Sequence, residues 1–134
     1  MRIRRARKED WPQVVALAAR LNLDYEGMDM DDFWVAVEGS RVAGICGLRR
    51  HADCLELCSL GVEEESRDKG VGTRLVMALL EETEGDIYLA TVIPEFFKRL
   101  GFEEAPSIPA SMIKKAEWCL GCRPDRCTIL FQKR

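Results

Sequence analysis

Arg67, Gly70 and Gly72 stand in the stretch SRDKGVGTRL, where an apolar strand pattern gives way to an amphipathic one. Glycines at this spacing let the main chain approach a ligand without a side-chain clash. A helix starting here would leave the N–H groups of its first turn unpaired, and with the positive end of its dipole they attract an anion. Arg67, Lys69 and Arg74 add positive charge nearby. The G-x-x-x-x-G-K-[ST] spacing of a P-loop is absent, and Leu75 occupies the third glycine position of a dinucleotide fingerprint. By spacing alone the stretch is either a plain strand-to-helix connection or a phosphate cradle.

A second constellation lies near the C-terminal end, where Cys119, Cys122 and Cys127 follow a C-x2-C-x4-C pattern in WCLGCRPDRC. Thiolates so spaced could wrap zinc, which takes four ligands in structural sites. No histidine nearby supplies the fourth, so Cys46, Cys54, Cys58, an acidic side chain or a second subunit would have to complete the set. A disulfide or redox pair and free thiols in a compact loop are the other readings. No metal is therefore assigned, and these cysteines stand only as the candidates for zinc.

The elements that must position these groups belong to an ordinary globular chain. Its 134 residues suffice for one domain with one core. Apolar residues make up 47% and charged residues 32%, which excludes a disordered or fibrous chain. Twenty basic against 23 acidic residues give a net charge of -3, which offers no footprint for nucleic acid. RIRRARK concentrates five basic residues between positions 2 and 8, and reads as a solvated strand edge. No apolar run exceeds six residues, so neither a membrane span nor a secretory segment is expected, and the expected location is cytoplasmic. In that setting the six cysteines read as thiols, ligands or core residues rather than disulfides.

Strand and helix patterns alternate along the chain. Residues 2 to 6 read as a short strand, and Asp10 with Pro12 marks a helix start. Val14, Val15, Leu17, Ala18 and Leu21 then share one helical face. LDYEGMDMDDF is a polar loop or short helix, broken by Gly27, that could move over a substrate. From Phe33 the period becomes that of strands, a three-strand antiparallel meander with turns at Gly39-Ser40 and Ala52-Asp53. Residues 70 to 84 carry the apolar stripe Val71, Leu75, Val76, Leu79 and Leu80 of a helix. DIYLATV is a buried strand; Pro94 and Gly101 bracket another helix; residues 110 to 118 form a further one, and TILFQK a last strand. The sum is an α/β fold with a mixed, mostly antiparallel sheet flanked by helices.

With those elements in order, the chain resembles the GNAT acyltransferase superfamily, whose signature is [QR]-x-x-G-x-[GA] between its fourth strand and third helix. RDKGVG matches that signature at Arg67, Gly70 and Gly72, LELCSLGV resembles the strand that holds the pantetheine arm of acetyl-CoA, and LATVIPEFFKRLGF resembles the fifth strand and following helix. These motifs cover about residues 1 to 105. The resemblance implies a single N-acetyltransferase domain over residues 1–134, with 106–134 a variable C-terminal segment that carries the cysteine cluster.

The resemblance also implies a set of cofactor contacts. Main-chain N–H groups of Arg67, Asp68, Lys69, Gly70, Val71, Gly72 and Thr73 would bind the CoA pyrophosphate. The main chain at Leu60 and Val62 would pair with pantetheine as an added strand. The family's fourth and fifth strands splay, which would let the thioester pass between Leu60 and ATV. Phe96 or Phe97 could pack on the cofactor, or belong to the core.

Acetyl transfer to an amine needs a proton acceptor. Many GNAT members carry a catalytic glutamate where this chain has Glu56, which interrupts an apolar strand eleven residues before Arg67. Burial on the sheet disfavours a charged carboxyl and brings it towards the range of a general base. Exposure on the strand, or pairing with an arginine, is the other reading of Glu56. The N–H of Leu60 would stabilise the oxyanion. Many relatives place a tyrosine before the Gly-Phe pair as general acid; this chain has Phe97, leaving water, Tyr88 or Tyr25 to protonate a thiolate that leaves readily. His51, at a predicted turn, is assigned no role.

Among GNAT proteins the chain is similar to small stand-alone members that resemble the acetyltransferase domain of N-acetylglutamate synthase. The expected substrate is then the primary amine of a small molecule, such as the amino acid L-glutamate, with Arg49, Arg50, Lys114 and Lys115 as candidates to face its carboxylates. A peptide N-acetyltransferase and a non-catalytic acetyl-CoA-binding module are the alternatives. The partners expected are that amine and at most a second copy of the chain in a homodimer, with no nucleic acid and no membrane.

Overall fold

The turn at Gly39-Ser40 sets the register of the first sheet segment, because Gly39 takes φ 63°, a left-handed conformation that favours glycine. It joins β2 (Phe33–Glu38) to β3 (Arg41–Arg50) as a two-residue hairpin with Glu38 opposite Arg41. The structure is a computed structural model that describes residues 1–113 and 128–134. The chain forms two compact units, Met1–Arg49 with Cys58–Thr83, and Arg50–Leu57 with Glu84–Arg134.

In the first unit β1 (Arg2–Arg5) lies antiparallel to β2, which is antiparallel to β3, and the strand order continues to β4 (Leu55–Val62), whose later residues belong here. Arg5 stacks over the ring of Trp34, and the indole N–H donates to Glu82. Helix α1 (Trp11–Arg20) begins with Pro12 in its first turn. Asp10, just before it, accepts from Arg7 N at 2.7 Å and from the Arg4 guanidinium at 2.6 and 3.2 Å. Val14, Leu17 and Ala18 of α1 pack with Val35, Val37, Val42 and Ile45 of the sheet. Val15 and Leu21, expected on the same face, are half-buried at its margin.

Helix α2 (Val71–Glu82) buries all five residues of its expected stripe. Its seat on the sheet depends on Gly44 of β3, where a methyl group would meet Leu75 Cδ1 at 3.1 Å and Val71 Cγ1 at 3.3 Å. A buried leucine contributes about 1.5–3 kcal/mol through area removed from water.

In the second unit the first residues of β4 pair in parallel with β5 (Ile87–Thr91), Leu55 beside Ile87 and Glu56 beside Tyr88. Ile87, Leu89 and Thr91 are buried while Tyr88 and Ala90 are half-buried, the alternation of a strand with unlike faces. β5 is antiparallel to β7 (Thr128–Gln132), and β7 to the two-residue β6 (Glu103–Glu104), giving the order β4-β5-β7-β6. Helix α3 (Pro94–Lys98) starts at Pro94, and Gly101 past its end has φ 96°. A methyl at Gly101 would lie 2.7 Å from Gln132 Nε2, which donates to Leu100 O at 3.0 Å.

The architecture is the expected mixed α/β one, antiparallel in every described pairing except β4 with β5. The polar stretch after α1 is a loop holding a single 3-10 turn, Met30–Asp32. Residues 110–113 are helical, and the rest of the helix expected over 110–118 lies outside the described residues. So do Lys114, Lys115, Cys119, Cys122 and Cys127.

Candidate active site

The stretch that opened the sequence analysis forms the entry to α2. β4 ends at Val62, and Glu63 follows with its N–H bonded to Ala43 O at 2.8 Å and its buried carboxylate paired with Arg41 at 3.0 Å and Arg20 at 3.6 Å. After a 3-10 turn at Glu64–Ser66 the backbone turns left-handed twice, at Asp68 (φ 64°) and Gly70 (φ 76°). The first main-chain bond of α2 runs from Arg74 N to Gly70 O at 3.1 Å. The N–H groups of Val71, Gly72 and Thr73 precede it and have no intrahelical acceptor, and the Gly70 cap supplies no side chain.

A methyl built on Gly70 meets nothing within 4 Å, so this glycine serves the backbone angle and leaves the approach to the helix open. Arg67 Nε donates to Val62 O at 2.9 Å and ties the loop to the end of β4; Arg74 Nη2 donates to Met1 O at 3.2 Å. Arg67, Lys69 and Arg74 are all exposed. A left-handed turn feeding an uncapped helix of twelve residues, flanked by cations, fits a diphosphate.

β4 itself departs from regular strand at Ser59, with φ 55° and its hydroxyl bonded to Asp24 O. A left-handed residue inside a strand re-aims the groups that follow, here Leu60 to Val62. The loop after α1 packs close, since a methyl on Gly61 would lie 2.6 Å from Leu23 Cδ1 and 2.8 Å from Leu21 Cδ1. Arg49 of β3 holds the same loop, with Nη1 donating to Glu26 O at 2.7 Å and Nη2 standing 3.4 Å from Asp24 Oδ2. Its Nε and Nη2 are buried and make no hydrogen bond among the described residues. Tyr25 packs on the core of this unit, and Cys58 lies in that core beside Met28.

The second unit holds Glu56, the candidate base. Glu56 is buried, 1% exposed, rather than facing solvent or an arginine, and its Oε1 lies 2.8 Å from His51 Nε2. The hairpin explains the meeting. His51 N donates to Cys54 O at 2.9 Å across Ala52-Asp53, so His51 and Cys54 flank the turn and Glu56, two residues along β4, shares their face. Sequence reasoning did not bring His51 to Glu56; extending the hairpin register by one step would have done so.

Around this pair, Asp53 Oδ2 accepts from Ser111 N at 3.1 Å, and the hydrogen bonds of Ser111 hold the Asp53 carboxyl below the usual carboxylate range. Burial, with the charges of Asp53 and Glu56, pushes the Cys54 thiol up to about 11. Tyr88, beside Glu56 on β5, stacks on Phe131 at 5.6 Å. Phe97 is buried edge-on between Phe96 and Phe102, and Phe96 is the more exposed ring. Burial also raises the Cys46 thiol well above its ordinary range. Among the described residues no group of histidine, cysteine and acidic side chains could hold a metal ion.

Residues 29–104 match the family model described as "Acetyltransferase (GNAT) domain". The chain belongs to the GNAT acetyltransferase family. An uncharacterized N-acetyltransferase of Chlorobaculum tepidum is 38% identical over 78 residues, 54% of this chain and 50% of that relative, so the match spans about half the relative's length. Among solved structures, the chain resembles N-acetylglutamate synthase from Neisseria gonorrhoeae complexed with coenzyme A and N-acetyl-glutamate, with TM-score 0.76 and 20% identity over 98% of this chain and 34% of that one. It also resembles Rv2747 of Mycobacterium tuberculosis, solved with CoA (TM-score 0.73, 22% identity, 100% and 99% of the chains). A third is Arabidopsis thaliana Naa50 with the bisubstrate analogue CoA-Ac-MVNAL (TM-score 0.71, 18% identity, 99% and 98%). At these identities the likeness is one of fold.

The GNAT match takes in Glu56, His51, Leu60, Val62 and the whole Arg67–Thr73 loop. It leaves out α1 and β7, which complete the two units of this GNAT chain.

Proposed function

We propose that the chain transfers an acetyl group from acetyl-CoA to the primary amine of a small molecule, with Glu56 as general base. The observation that carries this is the buried Glu56 carboxylate on β4, hydrogen-bonded to His51. Acetyl-CoA, when bound, supplies an activated acetyl thioester. The N–H groups from Arg67 to Thr73 take its diphosphate, Arg67 and Lys69 adding charge, and the main chain at Leu60 and Val62 pairs with the pantetheine arm. Glu56 accepts the proton that an attacking amine must lose, and the Leu60 N–H faces the developing oxyanion. Phe97 carries no hydroxyl, so the departing thiolate is protonated by water or by Tyr88, the neighbour of Glu56 on β5.

The acceptor proposed is an amino acid such as L-glutamate. Arg49 supports it. Nε and Nη2 form the edge of a guanidinium that grips a carboxylate with two parallel bonds; on Arg49 both are buried, Nε without a hydrogen bond among the described residues and Nη2 facing Asp24 at 3.4 Å, an ion pair that a substrate carboxylate would displace. The test is incubation with acetyl-CoA and a panel of amino acids, amines and peptides, reading released CoA. Turnover with amino acids supports the assignment; turnover confined to peptides replaces it with a peptide N-acetyltransferase. Tight CoA binding with no turnover reduces the chain to an acetyl-CoA-binding module.

A further inference from the structure

We infer that His51 is the positioning residue of the Glu56 carboxylate, and that without its hydrogen bond Glu56 loses most of its power as a base. The inference rests on the proposed role of Glu56. Three observations carry it. Nε2 and Oε1 are 2.8 Å apart, the distance of a strong bond to a charged acceptor. The imidazole is fixed at its root, because His51 N is bonded to Cys54 O across the turn. Glu56 is 2% exposed at its side chain and His51 22%, so the histidine joins a buried carboxylate to the surface of its own unit.

A carboxylate can only accept, so Nε2 carries the hydrogen and donates it to Oε1; the neutral ring is then the Nε2–H tautomer. The bond does two things. It fixes the rotation of the carboxylate plane, and it ties that plane to the anchored turn. No proton leaves Nε2 in this scheme, so His51 acts on the reaction through Glu56 alone.

Among the described residues, the titratable and charged groups next to the pair include Asp53 and Cys54 on the turn, Arg50 before it in the chain, and Tyr88 on β5. Asp53 ionises below the usual carboxylate range and Cys54 only near 11, so near neutral pH Asp53 is a weak base and Cys54 a protonated thiol.

The experiment compares His51→Phe, His51→Gln and Glu56→Gln in the full chain, using the best acceptor of the panel. His51→Phe is expected to lower kcat about ten- to hundredfold, the worth of a hydrogen bond to a charged group. KM for acetyl-CoA should stay unchanged. Glutamine can donate from a similar position, so His51→Gln should recover most of kcat. Wild-type kcat in His51→Phe, with Glu56→Gln inactive, overturns the role of His51 and leaves Glu56 as base. Full activity in Glu56→Gln overturns both. A readout independent of turnover comes from the single histidine of the chain. Its ring 15N shifts should report the Nε2–H tautomer when neutral, and the Nδ1–H tautomer would overturn the inference even in folded, active protein.

Discussion

His51 Nε2 and Glu56 Oε1 are 2.8 Å apart, five positions separated in sequence and joined by a two-residue turn. The reverse turn between β3 and β4 is thereby tied to a buried carboxylate rather than being a mere connection.

Replacing Glu56 by glutamine should lower kcat about 10²–10⁴-fold, the usual contribution of a positioned general base. Affinity for CoA, measured by calorimetry, should not change, because the loop that would hold the diphosphate starts eleven residues later.

Arg49→Ala is expected to raise KM for an amino-acid acceptor about tenfold or more, while KM for acetyl-CoA stays within about twofold, since a lost charged hydrogen bond is worth about 1.5–3 kcal/mol. Arg49→Lys should recover little, because an ammonium cannot offer two parallel donors. Steady-state kinetics with each substrate varied in turn separates these outcomes.

Two of the glycines with positive φ, Gly70 and Gly101, should respond differently to alanine. Gly70 has open space around it, so Gly70→Ala bears only the left-handed backbone cost of about 1–2 kcal/mol. Gly101→Ala adds a methyl 2.7 Å from Gln132 Nε2 and should lose more. Urea unfolding of the two variants checks the order.

Asp10 gives a pH-dependent prediction. The hydrogen bond from Arg4 holds the Asp10 carboxyl below its ordinary range. Its contribution to stability is therefore complete above the unfolded value of about 3.9 and is lost as pH falls through the folded one. Asp10→Asn should cost about 1–3 kcal/mol at pH 7. In urea titrations the gap to wild type should close below about pH 4.

Cys54 should resist alkylation. A thiol pushed up to about 11 is almost wholly protonated at pH 8, and the thiolate is the reacting form. Peptide mapping after iodoacetamide treatment should find Cys54 unmodified at pH 8 and increasingly modified above about pH 10.

Much of the fold was legible because its signals are periodic or sit at turns. The stripe from Val71 to Leu80, the Gly39-Ser40 hairpin and the Pro94 and Gly101 bracket each state a local structure that the packing confirms. β6 was not legible, since two exposed glutamates have no period and pair only because β7 lies beside them. The loop from Arg67 to Thr73 could be read from spacing and resemblance. His51 and Arg49 could not be ranked among other polar residues. What distinguishes them is a long-range consequence of strand register, His51 reaching Glu56 and Arg49 reaching the loop at Asp24 and Glu26.

Gly44 acts as a shim under α2. Its missing side chain sets the height of the helix above β3, and the nearest atoms a methyl would strike include Val71 Cγ1, at the helix's first residue. A wedge at this point would press on Leu75 and Val71 together and lift the first two turns of the helix from the strand. A bare spot on β3 thus decides how the start of α2 is carried, from a position outside the loop that leads into it.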